Sequence, residues 1–109
     1  MILKNVTRKT IITNDLKIAN TLKARLFGLL DSDNPRSLLL KTRFGIHTFG
    51  LNSSIDALIV DENNTVRVTK TISPNRILMY NPKYNTVVEL PYGYIKKSKT
   101  QLGDKIIIS

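Results

Sequence analysis

Ile55-Asp56-Ala57-Leu58-Ile59-Val60, then Asp61-Glu62-Asn63-Asn64, then Thr65-Val66-Arg67-Val68-Thr69-Lys70-Thr71-Ile72, is the stretch that decides the fold. Residues 55–60 are apolar at every position except Asp56. A strand covered on both faces reads this way, because neither row of side chains can be left to water. Residues 65–72 alternate instead, with Val66, Val68 and Ile72 to one side, the period of a strand with one wet face. The four residues between them are turn formers whose side chains can bond their own backbone. A buried strand and its half-exposed partner therefore form a hairpin within a sheet.

Further strands are predicted outward from this hairpin, at residues 38–40, 76–80, 86–90 and 105–108, where β-branched and aromatic residues lie between turn formers. Residues 9–13 read as a strand, Asn14-Asp15 as a turn, and residues 16–19 as the strand that pairs back. A short helical turn suits residues 94–99. The sustained helical pattern starts at Asn20 as N-cap and places Leu22, Leu26, Leu29 and Leu30 on one face, with Lys23 and Arg25 toward solvent; the turn formers of residues 31–35 end it. Many short strands and one helix in the N-terminal half predict a mainly β (α+β) fold: a small β-barrel-like or strongly curved sheet, one domain over residues 1–109. A chain of 109 residues buries about two thirds of the surface its unfolded form exposes. One core suffices.

Composition excludes several function classes. With no cysteine, disulfides, thiolate nucleophiles, iron–sulfur clusters and thiolate zinc sites are out of reach. His47 is the only histidine, and one histidine does not make a metal site, so neither metal nor cofactor is expected. No segment approaches the roughly 18 apolar residues of a membrane helix, and the first residues, MILKNVTRKT, carry charge before any apolar run. A soluble cytoplasmic protein without membrane insertion is the expectation. Seventeen Lys and Arg against eight Asp and Glu leave a formal charge of +9, a basic protein whose field attracts phosphate backbones, anionic lipid or an acidic partner. No Walker loop, dinucleotide fingerprint, HExxH or GxSxG is present.

Four blocks in order carry a likeness to a known family: Arg25-Leu26-Phe27-Gly28-Leu29-Leu30; Ile46-His47-Thr48-Phe49-Gly50-Leu51; Ile55-Asp56-Ala57-Leu58-Ile59-Val60-Asp61; and Val88-Glu89-Leu90-Pro91-Tyr92-Gly93 followed by Leu102-Gly103-Asp104. Together the chain resembles domain of unknown function 192, in its IHTFGM-type branch. The resemblance implies a small β-barrel-like domain with an early helix, and no established reaction. The chain departs from that pattern at Asn52-Ser53-Ser54, where relatives look basic and aromatic, and at Asn75, where a tryptophan is common. An aromatic ligand platform there is missing.

Three polar residues within these blocks are the candidates for chemistry. His47, between Gly45 and Gly50, can act as general base or hydrogen-bond donor, or can satisfy buried backbone groups. Asp56, inside an apolar strand, requires N–H partners or a cation such as Arg25, because a buried unpaired carboxylate is too costly. Glu89 stands between Val88 and Leu90, just before Pro91, which bends the chain. Asp56 and Glu89 together would suit glycoside-type acid–base work if they faced each other. Gly103-Asp104 reads as a turn.

The leading expectation is a non-enzymatic binding or accessory domain for a protein or small polar ligand, with His47, Thr48, Asp56, Glu89 and Tyr92 at its surface. A second is a small hydrolase-like enzyme on a polar or sugar-like substrate, using His47 with Asp56 or Glu89. A third is weak, non-specific nucleic-acid binding through Lys96, Lys97 and Lys99, with Tyr94 beside Tyr92 as a stacking pair.

Overall fold

The computed structural model describes residues 1–19, 37–43 and 45–109. The predicted helix at residues 20–30, and with it Arg25 as a partner for Asp56, lies outside them. Among the described residues the elements are β1 (Leu3–Asn5), β2 (Thr10–Thr13), β3 (Leu16–Ile18), β4 (Ser37–Lys41), β5 (Gly45–His47), β6 (Ile55–Val60), β7 (Val66–Ile72), β8 (Ile77–Met79), β9 (Thr86–Pro91), α1 (Tyr94–Ser98) and β10 (Ile106–Ile108). They form a three-stranded sheet in the order β10-β1-β2, a five-stranded sheet β3-β4-β9-β6-β7 and a two-stranded ribbon β5-β8. The mainly β expectation is met. No closed barrel forms among the described residues, whose strands lie in three hydrogen-bonded groups.

The hairpin that opened the reading is present, with β6 between β7 and β9 and antiparallel to both. This position explains the apolar run: every residue of β6 is buried. On one face Leu58 and Val60 pack with Leu3, Leu16, Val88 and Leu90, and on the other Ala57 and Ile59 pack with Leu38, Leu40, Ile46 and Val87. Each fully buried aliphatic side chain is worth about 1.5–3 kcal/mol. The turn is held by Asp61, whose Oδ1 accepts the Asn63 and Thr65 amides at 2.8 and 3.0 Å while Arg67 Nε donates to Oδ2 at 2.7 Å. The Thr65 amide first, with Arg67 and Asn63 behind it, keeps the Asp61 carboxyl below its ordinary value against the opposing effect of burial.

The predicted hairpin of residues 9–19 does not form. β2 pairs antiparallel with β1, whereas β3 joins the other sheet, parallel to β4. The corner between them is made by side chains: Thr13 Oγ1 donates to Asp15 Oδ1 at 2.8 Å, and the Leu16 amide donates to the Met1 carbonyl at 2.9 Å. Leu16 is thereby carried into the core, and its burial outweighs the local pairing that the turn residues suggested. β1 and β5, three residues each, are too short for a periodic signal and were not foreseen.

Candidate functional site

β6 and β9 pair with Ala57 opposite Glu89 and Asp56 opposite Leu90. Opposed residues in an antiparallel pair share a face, and neighbours along a strand alternate. Asp56 therefore lies on the face of Leu58 and Leu90, and Glu89 on the face of Ala57 and Val87. The five-stranded sheet separates the two carboxylates, so the facing acid pair considered from sequence does not exist.

Asp56 is 2% exposed. Its Oδ2 accepts the backbone amides of Gly93 and Ile95, both at 3.0 Å, and its Oδ1 accepts the Thr71 hydroxyl at 2.8 Å. The carboxylate thus ties the central strand to edge strand β7 and to the turn that leads into α1. Gly93 makes that turn with φ of 94°, a backbone conformation that side chains other than glycine's rarely adopt. Of the alternatives held for Asp56, locking a loop through N–H bonds is the one its contacts describe.

Glu89 is fully buried on the opposite face. Its charge reaches Tyr80, whose hydroxyl titrates above its ordinary value: burial is the main cause, the hydrogen bond to the Thr42 carbonyl at 2.6 Å opposes it, and Glu89 adds to it. His47 sits on the ribbon, where its Nδ1 accepts the Phe49 amide at 3.3 Å and its ring stacks on Phe49 with centroids 5.1 Å apart. Its neighbour Ile46 enters the core on Glu89's side of the sheet, so His47 points the other way, off the outer side of the ribbon. Thr48 is 1% exposed. Its hydroxyl donates to the Ser73 carbonyl at 2.7 Å and accepts the Arg76 amide at 2.9 Å, so it fastens the loop before β8. The geometry does not gather His47, Asp56 and Glu89 into one cleft.

What the structure does gather was divided between two expectations. A cavity of about 670 Å³ beside α1 is lined by Arg8, Asp56, Thr71, Tyr92, Lys96 and Lys99, among others. Tyr92 stands 68% exposed at it. Tyr94 and Lys97 belong elsewhere: they line a separate hollow of about 520 Å³ with residues 11–15, and the Lys97 ammonium lies 5.7 Å from the Tyr94 ring centre. The positive φ of Gly93 turns the two tyrosines apart, so they do not form the expected stacking pair, and the lysine cluster splits between the two sides of α1.

Arg8 was not foreseen. Its Nε donates to Asp104 Oδ2 at 3.1 Å and its Nη2 to Gln101 Oε1 at 2.9 Å. Asp104, read correctly as a turn residue, also accepts Asn5 Nδ2 and the Gln101 amide at 2.9 Å each. Burial raises the Asp104 pKa, but Asn5, Arg8 and the Gln101 amide together outweigh it and leave the carboxyl below its ordinary value. No local signal joins residues 96 apart in the chain. Among the described residues that line the groove, Lys96, Lys99 and an exposed phenol ring face solvent, Arg8 is engaged by Asp104 and Gln101, and the one carboxylate, Asp56, is occupied by three donors. Among the described residues no group of three potential metal ligands comes together, and no helix is long and apolar enough to cross a membrane.

No family model matches the chain. A UPF0127 protein of Pyrococcus abyssi is 32% identical over 97 residues, covering 84% of this chain and 83% of that protein. A UPF0127 protein of Pyrococcus horikoshii is 32% identical over 99 residues, covering 84% and 85%. Among solved structures, a proposed transcription regulator from Sinorhizobium meliloti superimposes with a TM-score of 0.77 at 16% identity over 97% of this chain and 89% of its own. A protein of unknown function from Novosphingobium aromaticivorans does so with a TM-score of 0.74 at 12% identity, over 98% and 82%. At these identities the structural matches carry the fold alone. Neither the relatives nor the structural neighbours bring an established reaction.

Proposed function

The chain belongs to the UPF0127 protein family, and from that premise we propose that it is a non-enzymatic binding domain whose groove beside α1 takes a small polar ligand bearing a phosphate, sulfate or carboxylate group. The observation that carries this reading is the lining itself. Lys96 and Lys99 converge with exposed Tyr92 on one cavity, beside Arg8 in its pair with Asp104, and the only carboxylate among its described lining residues already accepts three hydrogen bonds. Such a lining attracts an anion and offers a ring for a sugar or base to rest on. Its carboxylate, occupied by three donors, is not placed to act as a catalytic acid or base. The opposed faces of Asp56 and Glu89 weigh against the hydrolase alternative for the same reason.

The likeness to domain of unknown function 192 remains our reading of the four sequence blocks, and residence in the cytoplasm as one domain belongs to the same proposal. Titration with inorganic pyrophosphate and with a sugar phosphate, followed by amide chemical shifts, tests the site. Shifts should concentrate on Arg8 and residues 92–101 and vanish in the Lys96→Glu/Lys99→Glu double variant. Binding unaffected by that change, or shifts centred on another surface, would refute the groove.

A second reading keeps nucleic acid as the anion, because Tyr92 and two lysines share a surface suited to one stacked base and its phosphates. Single-stranded oligonucleotide should then bind with an affinity that falls steeply with salt. Salt-insensitive or absent binding would end this reading.

A further inference from the structure

We propose that the outer face of the β5–β8 ribbon is a docking surface for an anionic lipid bilayer, which the protein engages at its interface without crossing it. In the ribbon, Ile46 and Leu78 oppose each other and face the core, while Gly45 opposes Met79 and His47 opposes Ile77. Alternation then sends Ile77, Met79 and His47 outward together, and Phe49 extends this row by stacking on His47. Met79 is 75% exposed, Ile77 63% and Phe49 48%. Scattered apolar residues are ordinary on a surface, but a contiguous row on one ribbon face is the kind of patch that marks an interaction site.

Charge identifies the occupant. The segments that frame the ribbon, residues 41–54 and 73–83, carry Lys41, Arg43, Arg76 and Lys83 and no Asp or Glu. Lys41 is held by the Thr86 hydroxyl at 2.8 Å, and Lys83 shares a small cavity with Asp61 and Glu62. Arg43 donates from Nη1 to the Pro82 carbonyl at 2.7 Å; that partner, like the Thr86 hydroxyl, is neutral, so Arg43 keeps its charge and stands with Arg76 beside the ribbon. Arg76 immediately precedes Ile77, and the Gly45 amide donates to the Arg43 carbonyl at 2.9 Å. An apolar row between arginines matches the layering of a bilayer surface, where headgroup phosphates lie above acyl chains and long cationic side chains reach up to them. The +9 charge of the whole chain is spread along it, and a spread charge gains more from an extended anionic plane than from one acidic segment of a protein. Neither the α1 groove nor the hollow at Tyr94 includes Phe49, Ile77 or Met79, so this surface is distinct from the ligand site.

Vesicle co-sedimentation at low salt tests the proposal, with phosphatidylserine–phosphatidylcholine vesicles against vesicles of phosphatidylcholine alone. The full chain should bind the first, at least about tenfold more weakly the second, and the Ile77→Ser/Met79→Ser variant should lose about tenfold on the anionic vesicles. The chain has no tryptophan, so Ile77→Trp provides a single reporter that should shift to the blue on these vesicles, while Val6→Trp in the turn between β1 and β2 should not. This second arm decides the matter if the double variant fails to fold. Absence of binding, equal binding to both vesicle types, or binding unchanged by the double substitution would overturn the proposal. So would a dimer in solution that the double substitution turns into a monomer, which would assign the face to a second copy.

Discussion

Replacing Asp56 separates a structural lock from a catalytic or ligand-contacting group. Asp56→Ala removes an acceptor that receives two amides and a hydroxyl. Hydrogen bonds to a charged group contribute about 1.5–3 kcal/mol each, and a buried donor left unmatched costs about 1–3 kcal/mol. Gly93 and Thr71 line the open groove, where water can replace part of the loss, so the expected cost is about 3 kcal/mol and not the sum. For a chain of this size that lowers the melting temperature by about 12 °C. Asp56→Asn keeps one oxygen for the two amides and presents an NH2 that the Thr71 hydroxyl can accept, so it should cost about 1 kcal/mol. Urea titrations and thermal melts by circular dichroism measure both. Equal losses for the two variants, or an Asp56→Ala protein as stable as wild type, would refute the lock. An Asp56→Asn protein of normal stability that no longer bound pyrophosphate would show that the carboxylate serves the ligand instead.

Three more outcomes follow from the same contacts. Asp104 has a folded-state pKa below its ordinary value of 3.8, so its contribution is present above that value and is lost as pH falls through the lower folded-state value; urea midpoints measured between about pH 5 and pH 2 should fall more steeply in wild type than in Asp104→Asn. A Cβ on Gly45 would meet the Leu78 carbonyl oxygen at 2.6 Å, so Gly45→Ala should part the ribbon and speed amide exchange at Ile46 and Leu78, and unchanged exchange would refute the close approach. Thr48→Val leaves the Arg76 amide and the Ser73 carbonyl without the hydroxyl that joins them and should cost about 1–3 kcal/mol in urea titration, whereas Thr48→Ser should cost less.

The strands were legible wherever burial imposes a period. Residues 55–60 and 65–72 declare themselves because a central strand must be apolar on both faces and its neighbour on one. Pairing was less legible. Asn14-Asp15 satisfies the local rule for a hairpin, but Leu16 is drawn into a core built from residues far along the chain, and no local signal carries that competition. The acid pair failed through register. A slip of one residue exchanges the faces of a strand, so whether Asp56 meets Glu89 depended on the offset between β6 and β9, which hydrophobic patterning left undetermined. The groove is assembled from residues 8, 56, 71, 92, 93, 95, 96 and 99–101. Its lysines were visible as a run, yet as adjacent positions on α1 Lys96 and Lys97 point to different sides.

The pairing of β1 with β10 bears on synthesis. Leu3 stands opposite Ile108 and Asn5 opposite Ile106, so β1 meets one flank partner only after about a hundred more residues have been translated. At about 5–20 residues per second that is an interval of roughly 5–20 s, during which β1 has β2 alone and an open edge. Until β10 emerges, the nascent chain therefore offers chaperones an unfinished rim along β1.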